Sequence, residues 1–198
     1  MKIAIIGAGD VGTALGNAWV KAGHEVVYGV RNPKLSSGHV AIEQAVSASD
    51  VVVLAVPWLA VPVLLDNREL FKGKIVIDCT NPINADFSGL SIGHSDSGGE
   101  TIGRMIPESR VVKAFNACGY NIMQNPVFSG GAPSMFMASD DSSAKETVAS
   151  LADCIGFKSV DVGPLIQSRY LEALAWLWIS MAVKYGGGRD IAFQLLRR

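Results

Sequence analysis

Apolar residues recur in short continuous runs along the first half of the chain, each parted from the next by a stretch long enough for a helix. The runs at residues 2–6, 26–29, 51–56, 75–78 and 111–114 predict strands, and their lack of polar alternation predicts strands covered on both faces. Residues 11–22 carry helical spacing and stop at Gly23. A brief helix is expected around 40–46, and another over 60–65 with Pro62 in its first turn, where a missing amide costs little. Residues 81–99 are rich in Gly, Ser, Asn and Asp and predict a long surface loop, followed by a short helix over 100–105. Beyond Gly130-Gly131, strands at 134–138 and 159–162 flank a helix over 143–155. A longer helix over 167–185 is closed by Gly186-Gly187-Gly188. Strands alternating with helices predict an α/β fold, doubly wound around a mainly parallel sheet, with a small C-terminal α/β annex.

Charge narrows the function. Seventeen Lys and Arg against 18 Asp and Glu leave no net field for nucleic acid or an anionic membrane, so neither partner is expected. Cys79, Cys118 and Cys154 lack CxxC spacing, and His24, His39 and His94 are scattered, so no metal site is expected. The odd cysteine count points to a reducing compartment, and a cytoplasmic location is expected. The apolar stretch 171–183 is shorter than the roughly 20 residues a bilayer-spanning helix needs.

The first turn carries the chemistry. Gly7-Ala8-Gly9-Asp10-Val11-Gly12 fits GxGxxG directly after a strand and at the start of a helix, the context in which that spacing holds a dinucleotide. Gly7 permits a tight turn, Gly9 lets a pyrophosphate approach the backbone, and Gly12 allows helix and strand to pack closely. Residues 1–130 are therefore expected to form a Rossmann NADP(H)-binding region, with 131–198 as the annex packed on the same body. After the second strand, Arg31 stands where an NAD site places Asp or Glu, and paired guanidinium donors suit a 2′-phosphate. Lys34 adds positive charge nearby. A solvent-facing Arg31 is the competing reading. Val56-Pro57-Trp58 and Cys79-Thr80-Asn81-Pro82 follow the next two strands and border the crevice. Trp58 suits either a wall for the nicotinamide or core packing, and Asp78 either strand-end structure or chemistry. Cys79 has no evident activating base.

The chain resembles the NADP oxidoreductases that depend on the deazaflavin coenzyme F420, and is similar to the cytosolic NADPH-binding domain of six-transmembrane ferric reductases. The resemblance rests on the glycine turn, Gly29-Val30-Arg31, Val56-Pro57-Trp58, Val111-Val112-Lys113-Ala114-Phe115-Asn116, Asp161-Val162-Gly163-Pro164-Leu165, Ser168-Arg169 and Glu172-Ala173-Leu174. It implies that Gly7, Gly9, Asp10, Val11 and Gly12 surround the pyrophosphate and that Arg31 meets the 2′-phosphate. It implies that Val56, Pro57 and Trp58 approach the nicotinamide, with Asn116 and Ala117 across the crevice. Val30 departs from the Ser or Thr common in members before that arginine. The implied activity is hydride transfer between NADP(H) and F420 or a flavin-like acceptor, a small redox substrate, and no acid–base residue is assigned. A nucleotide-binding redox sensor without turnover, and a reductase of a small imine or carbonyl, are the alternatives. A homodimer is expected, because residues 171–183 are apolar around most of the helix and such a helix needs burial on several sides. Burial wholly within one chain is the other reading.

Overall fold

The computed structural model describes residues 1–33 and 38–198; Lys34 falls outside the described residues. Six parallel strands form the main sheet in the order β3-β2-β1-β4-β5-β6. They are β1 (Lys2–Ile6), β2 (Glu25–Val30), β3 (Val40–Ala41), β4 (Val51–Leu54), β5 (Ile75–Asp78) and β6 (Arg110–Lys113). The order reverses between β1 and β4, and that switch point opens a crevice beyond the carboxyl ends of the strands, the place where doubly wound folds hold ligands.

Alternation along each strand divides the core. Ile3, Ile5, Val51, Val53 and Ile77 face one side, under α1 (Asp10–Lys21) and α6 (Ser142–Asp153). Ala4, Ile6, Val52, Leu54 and Val76 face the other, under α2 (Ile42–Ser47), α3 (Val61–Leu64) and α4 (Gly98–Met105). Trp19 on α1 is fully buried and donates its indole N–H to the Leu151 carbonyl of α6 at 2.9 Å, so the first helix is tied to the C-terminal part of the chain.

A two-stranded parallel sheet, β7 (Ser134–Met137) with β8 (Lys158–Asp161), extends the body. One antiparallel bridge, Lys113 with Ala138, joins it to the edge of β6. The first apolar cluster runs without a break from Ile3 through Phe115 to Met135, Val148 and Phe157.

Several element boundaries differ from expectation, each for a local reason. Val40 and Ala41 pair with Gly29 and Val30 as an edge strand before their helix starts, because the sheet has a free edge there. The expected loop to residue 99 ends earlier, since Ser97 caps α4 by accepting the Glu100 amide at 3.1 Å, while its hydroxyl donates to the Glu100 carboxylate. A short helix, α5 (Tyr120–Gln124), was not expected from five residues of mixed polarity; it packs beside α1. The last helix is α7 (Ser168–Ile179), continued by a π-helical turn over Ser180–Lys184.

Candidate active site

Gly7 has φ 105° and a Cβ there would overlap the Ala55 carbonyl; a Cβ on Gly12 would overlap the Gly7 carbonyl. Glycine is required at both for the turn to close. Gly9 differs: a Cβ would meet nothing within 4 Å, so the space over it is open. Gly9 is the N-cap of α1 and no side chain caps that end. The first amides of the helix therefore face a cavity of about 230 Å³ lined by Ala8, Gly9, Asp10, Thr13, Ala14, Asn17, Tyr120 and Gln124. Unpaired amides and the positive end of the helix dipole suit an anion. Val11 is partly buried against the adjoining core.

On the other side of the glycine turn lies a larger, mostly apolar cavity of about 610 Å³ beyond the ends of β1, β2 and β4. Arg31, Val56 and Pro57 line it with Ile6, Ile42, Leu59 and Leu64. Arg31 is exposed and makes no ion pair among the described residues. Glu43, in the first turn of α2, shares the cavity and went unnoticed in the sequence. Trp58 is half-buried in the second apolar cluster, and a Cβ on Gly98 would lie 3.1 Å from its ring. It therefore packs against the start of α4, and the described residues lining the cavity of Arg31, Val56 and Pro57 do not include it.

Beyond β5 and β6 the chain is held by polar contacts. Phe115 takes φ 59°, rare for a residue with a side chain and costing about 1–3 kcal/mol. Its ring is fixed edge-on between Trp19, at 5.6 Å, and Phe157, at 6.3 Å. This turn delivers Asn116 and Ala117 to the strand ends. Asn116 and Asn81 bond reciprocally: Asn81 Nδ2 donates to the Asn116 carbonyl at 2.9 Å, and Asn116 Nδ2 donates to Asn81 Oδ1 at 3.0 Å and to the Leu171 carbonyl at 3.0 Å.

Beneath this pair lies a charged cluster sealed from solvent. Lys113 Nζ donates to Asp78 Oδ2 at 2.8 Å and to the Thr80 carbonyl at 2.6 Å, and sits 2.8 Å from Glu172 Oε1. Lys113 and Asp78 have no exposed side-chain surface and Glu172 has 1%. Asp78 Oδ1 accepts from the Thr80 amide and hydroxyl, and Glu172 accepts from the Gly98 and Gly99 amides at the start of α4. Burial pulls the Lys113 ammonium down, but the adjoining Asp78 and Glu172 carboxylates outweigh it and hold it above its ordinary value. The cluster thus joins β5, β6, α4 and α7 directly under the crevice. Asp78 takes the structural of its two readings. One signal was legible: Lys113 interrupts an apolar run in a strand covered on both faces, where a charge needs a partner, and β5–β6 register places Asp78 opposite it.

Cys79 is buried, and desolvation pushes its thiol well above its ordinary value, which leaves it unsuited to act as a nucleophile. Among the described residues, no group of three or more His, Cys, Asp or Glu is placed to hold a metal ion, and no helix is long and apolar enough to cross a membrane.

The sequence profile of the coenzyme F420-dependent NADP oxidoreductases matches residues 2–82, which contain the glycine turn, Arg31 and Val56-Pro57-Trp58. The chain is 31% identical over 213 residues to the F420-dependent NADP reductase of Methanothermobacter thermautotrophicus, with 93% of this chain and 90% of that protein covered. The chain belongs to the F420-dependent NADP oxidoreductase family. A crystal structure described as a "putative f420 dependent nadp-reductase" from Arthrobacter sp. FB24 superimposes on this family member with a TM-score of 0.90 at 29% identity, covering both chains completely. Metalloreductase STEAP3 of Rattus norvegicus is 32% identical over 180 residues, but this family member spans only 36% of its length. The likeness thus extends past the matched profile, through β6, the annex and α7.

Proposed function

We propose that the chain is an NADP(H)-dependent oxidoreductase that exchanges hydride between the nicotinamide and a deazaflavin, coenzyme F420, or a flavin-like ring. One observation carries this reading: the bare N-terminus of α1 with open space at Gly9 adjoins a cavity in which Arg31 stands where a 2′-phosphate would be met. Family membership supports the same reaction class.

In this reading the amides at Gly9, Asp10, Val11 and Gly12 hold the pyrophosphate, and Arg31, with Lys34, holds the 2′-phosphate. Val56, Pro57 and Trp58 form one wall for the nicotinamide, with Asn116 and Ala117 on the other. When bound, the nicotinamide supplies or accepts a hydride at C4. The chain's own work is to orient that ring and exclude water, since direct hydride transfer needs close, aligned carbons and no covalent nucleophile. The Asn81–Asn116 pair and the buried cluster below it fix the floor on which the ring rests. We assign this work to residues 1–130, with 131–198 as the annex that completes the second-substrate side.

We also propose a cytoplasmic homodimer built on α7. Leu171, Ala175 and Trp178 are buried inward, yet Tyr170, Leu177 and Met181 remain 71, 50 and 44% exposed along one stripe. Burial within a single chain does not cover that stripe. Light scattering on Leu177→Glu tests it: the proposal expects a halved mass, and an unaltered protein that is a fully active monomer contradicts it.

The function itself is tested by following NADPH oxidation with coenzyme F420, FMN, FAD and small quinones. Reduction of F420 or a flavin is expected. Tight NADPH binding with no turnover on any acceptor would favour the redox-sensor reading instead.

A further inference from the structure

The cavity over the glycine turn has an unbalanced charge. A dinucleotide's bridge carries two negative charges, yet among the described residues lining the cavity the only formal charge is the carboxylate of Asp10. Bare amides and a helix dipole amount to about half a positive charge. Among the described residues, neither the glycine turn nor the lining of this cavity supplies a cationic side chain.

The C-terminal segment brings one. After the π-helical turn the chain reverses through Gly186 and Gly188, both in the left-handed region at φ 73° and 77°, conformations that favour glycine. It then runs back over α5 and along β7. The Trp178 indole donates to the Ile191 carbonyl at 2.8 Å, the Ser134 amide donates to the Phe193 carbonyl at 2.9 Å, and the Leu195 amide donates to Ser134 Oγ at 2.9 Å. Asn121 Nδ2 donates to the Arg189 carbonyl at 3.2 Å and to Asp190 Oδ1 at 2.8 Å. These bonds fix the backbone of Arg189 and engage the acidic neighbour, Asp190. The Arg189 guanidinium then lies 5.5 Å from the centre of the Tyr120 ring, and Tyr120 lines the cavity together with Gly9 and Asp10. Among the described residues Arg189 makes no ion pair, and it is exposed.

We infer that Arg189 is a dinucleotide-binding residue: it reaches past Tyr120 to the pyrophosphate and supplies the positive charge that the glycine turn lacks. The inference rests on the nucleotide reading above and adds to it a contact from the opposite end of the chain. Stacking on a tyrosine face leaves the planar fork of an arginine free to present paired donors to phosphate oxygens. Arg31 and Arg189 then divide the recognition: Arg31 reads the 2′-phosphate, and Arg189 the bridge that every nicotinamide dinucleotide shares.

That division gives the test. Calorimetric titration of the full chain and of Arg189→Gln with NADPH, NADH and 2′-AMP separates the two roles, because 2′-AMP carries a 2′-phosphate and no pyrophosphate. Arg189→Gln should weaken NADPH and NADH by the same factor, about tenfold or more for a lost charge-assisted contact, and leave 2′-AMP unchanged. Arg189→Lys should restore part of the loss. Bound NADPH should also protect the Arg189–Asp190 bond from trypsin. Unchanged affinity of Arg189→Gln for both dinucleotides, or equal loss for 2′-AMP, overturns the inference while leaving Arg31 and the glycine turn untouched. Failure of the unaltered protein to bind any of the three instead overturns the nucleotide reading, and this one with it.

Discussion

Replacing Lys113 with methionine should be among the most damaging single changes the fold can suffer. The ammonium makes three contacts of 2.8 Å or less, to Asp78, Glu172 and the Thr80 carbonyl, none reached by solvent. Methionine fills similar volume but leaves two carboxylates facing each other with no cation between them. Breaking a buried ion pair by removing one partner costs about 3–5 kcal/mol, because a desolvated charge is left uncompensated. Guanidinium unfolding at pH 7 should show that loss, and a thermal midpoint lower by roughly 6–20 °C for a chain of this size. Lys113→Met combined with Glu172→Gln should lose less than the two single changes together, since only Asp78 then keeps its charge and it still accepts two Thr80 donors. Because the neighbouring carboxylates hold the Lys113 ammonium above its ordinary value of 10.5, its contribution is fully present at neutral pH and is lost only as the pH rises through the folded-state value. A loss under about 1 kcal/mol for Lys113→Met, or strict additivity in the double variant, would refute this account of the cluster.

Three further outcomes follow from other parts of the chain. Arg31→Ala should weaken NADPH by about 1.5–3 kcal/mol and NADH hardly at all in calorimetry, whereas equal weakening of both would remove the 2′-phosphate role. Gly9→Ala should unfold like the unaltered protein, since its Cβ enters open space, yet bind nucleotide poorly; Gly12→Ala, forced against the Gly7 carbonyl, should be destabilised before any ligand is added. Hydrogen bonds from Arg169 hold the Glu100 carboxyl below its ordinary value of 4.5, so that pair stabilises the fold above this pH and fades as the pH falls through the folded-state value. Arg169→Met should therefore lie below the unaltered protein in stability at pH 7, with the gap closing as the pH falls below 4.5 and through the lowered folded-state value; a gap independent of pH would show that the pair contributes nothing electrostatic.

The parallel sheet was readable because its strands are buried on both faces, and burial on both faces writes an unbroken apolar run into residues 3–6, 51–54 and 75–77. The glycine turn was readable because Gly7 and Gly12 answer steric demands that no other residue meets. What escaped depends on contacts between distant segments. Strand β3 exists only because β2 offers an edge, and α5 only because α1 and the C-terminal segment flank it. Glu172 lies 59 positions from Lys113, and nothing local announces that α7 carries it beneath β6. Asn81 likewise gains its role only from Asn116, delivered by the strained turn at Phe115.

Direct hydride exchange between the nicotinamide and a deazaflavin is tested by the fate of an isotope. NADPH deuterated at the transferable C4 position would be incubated with the protein and oxidised coenzyme F420, and the reduced deazaflavin analysed by mass spectrometry. In a deazaflavin the accepting atom is carbon, so deuterium transferred as deuteride does not wash out into water. One deuterium should be retained in the reduced ring, with a slower rate than for unlabelled NADPH. Reduced coenzyme carrying no deuterium, or an unaltered F420 despite saturating NADPH bound at the glycine turn, would contradict it.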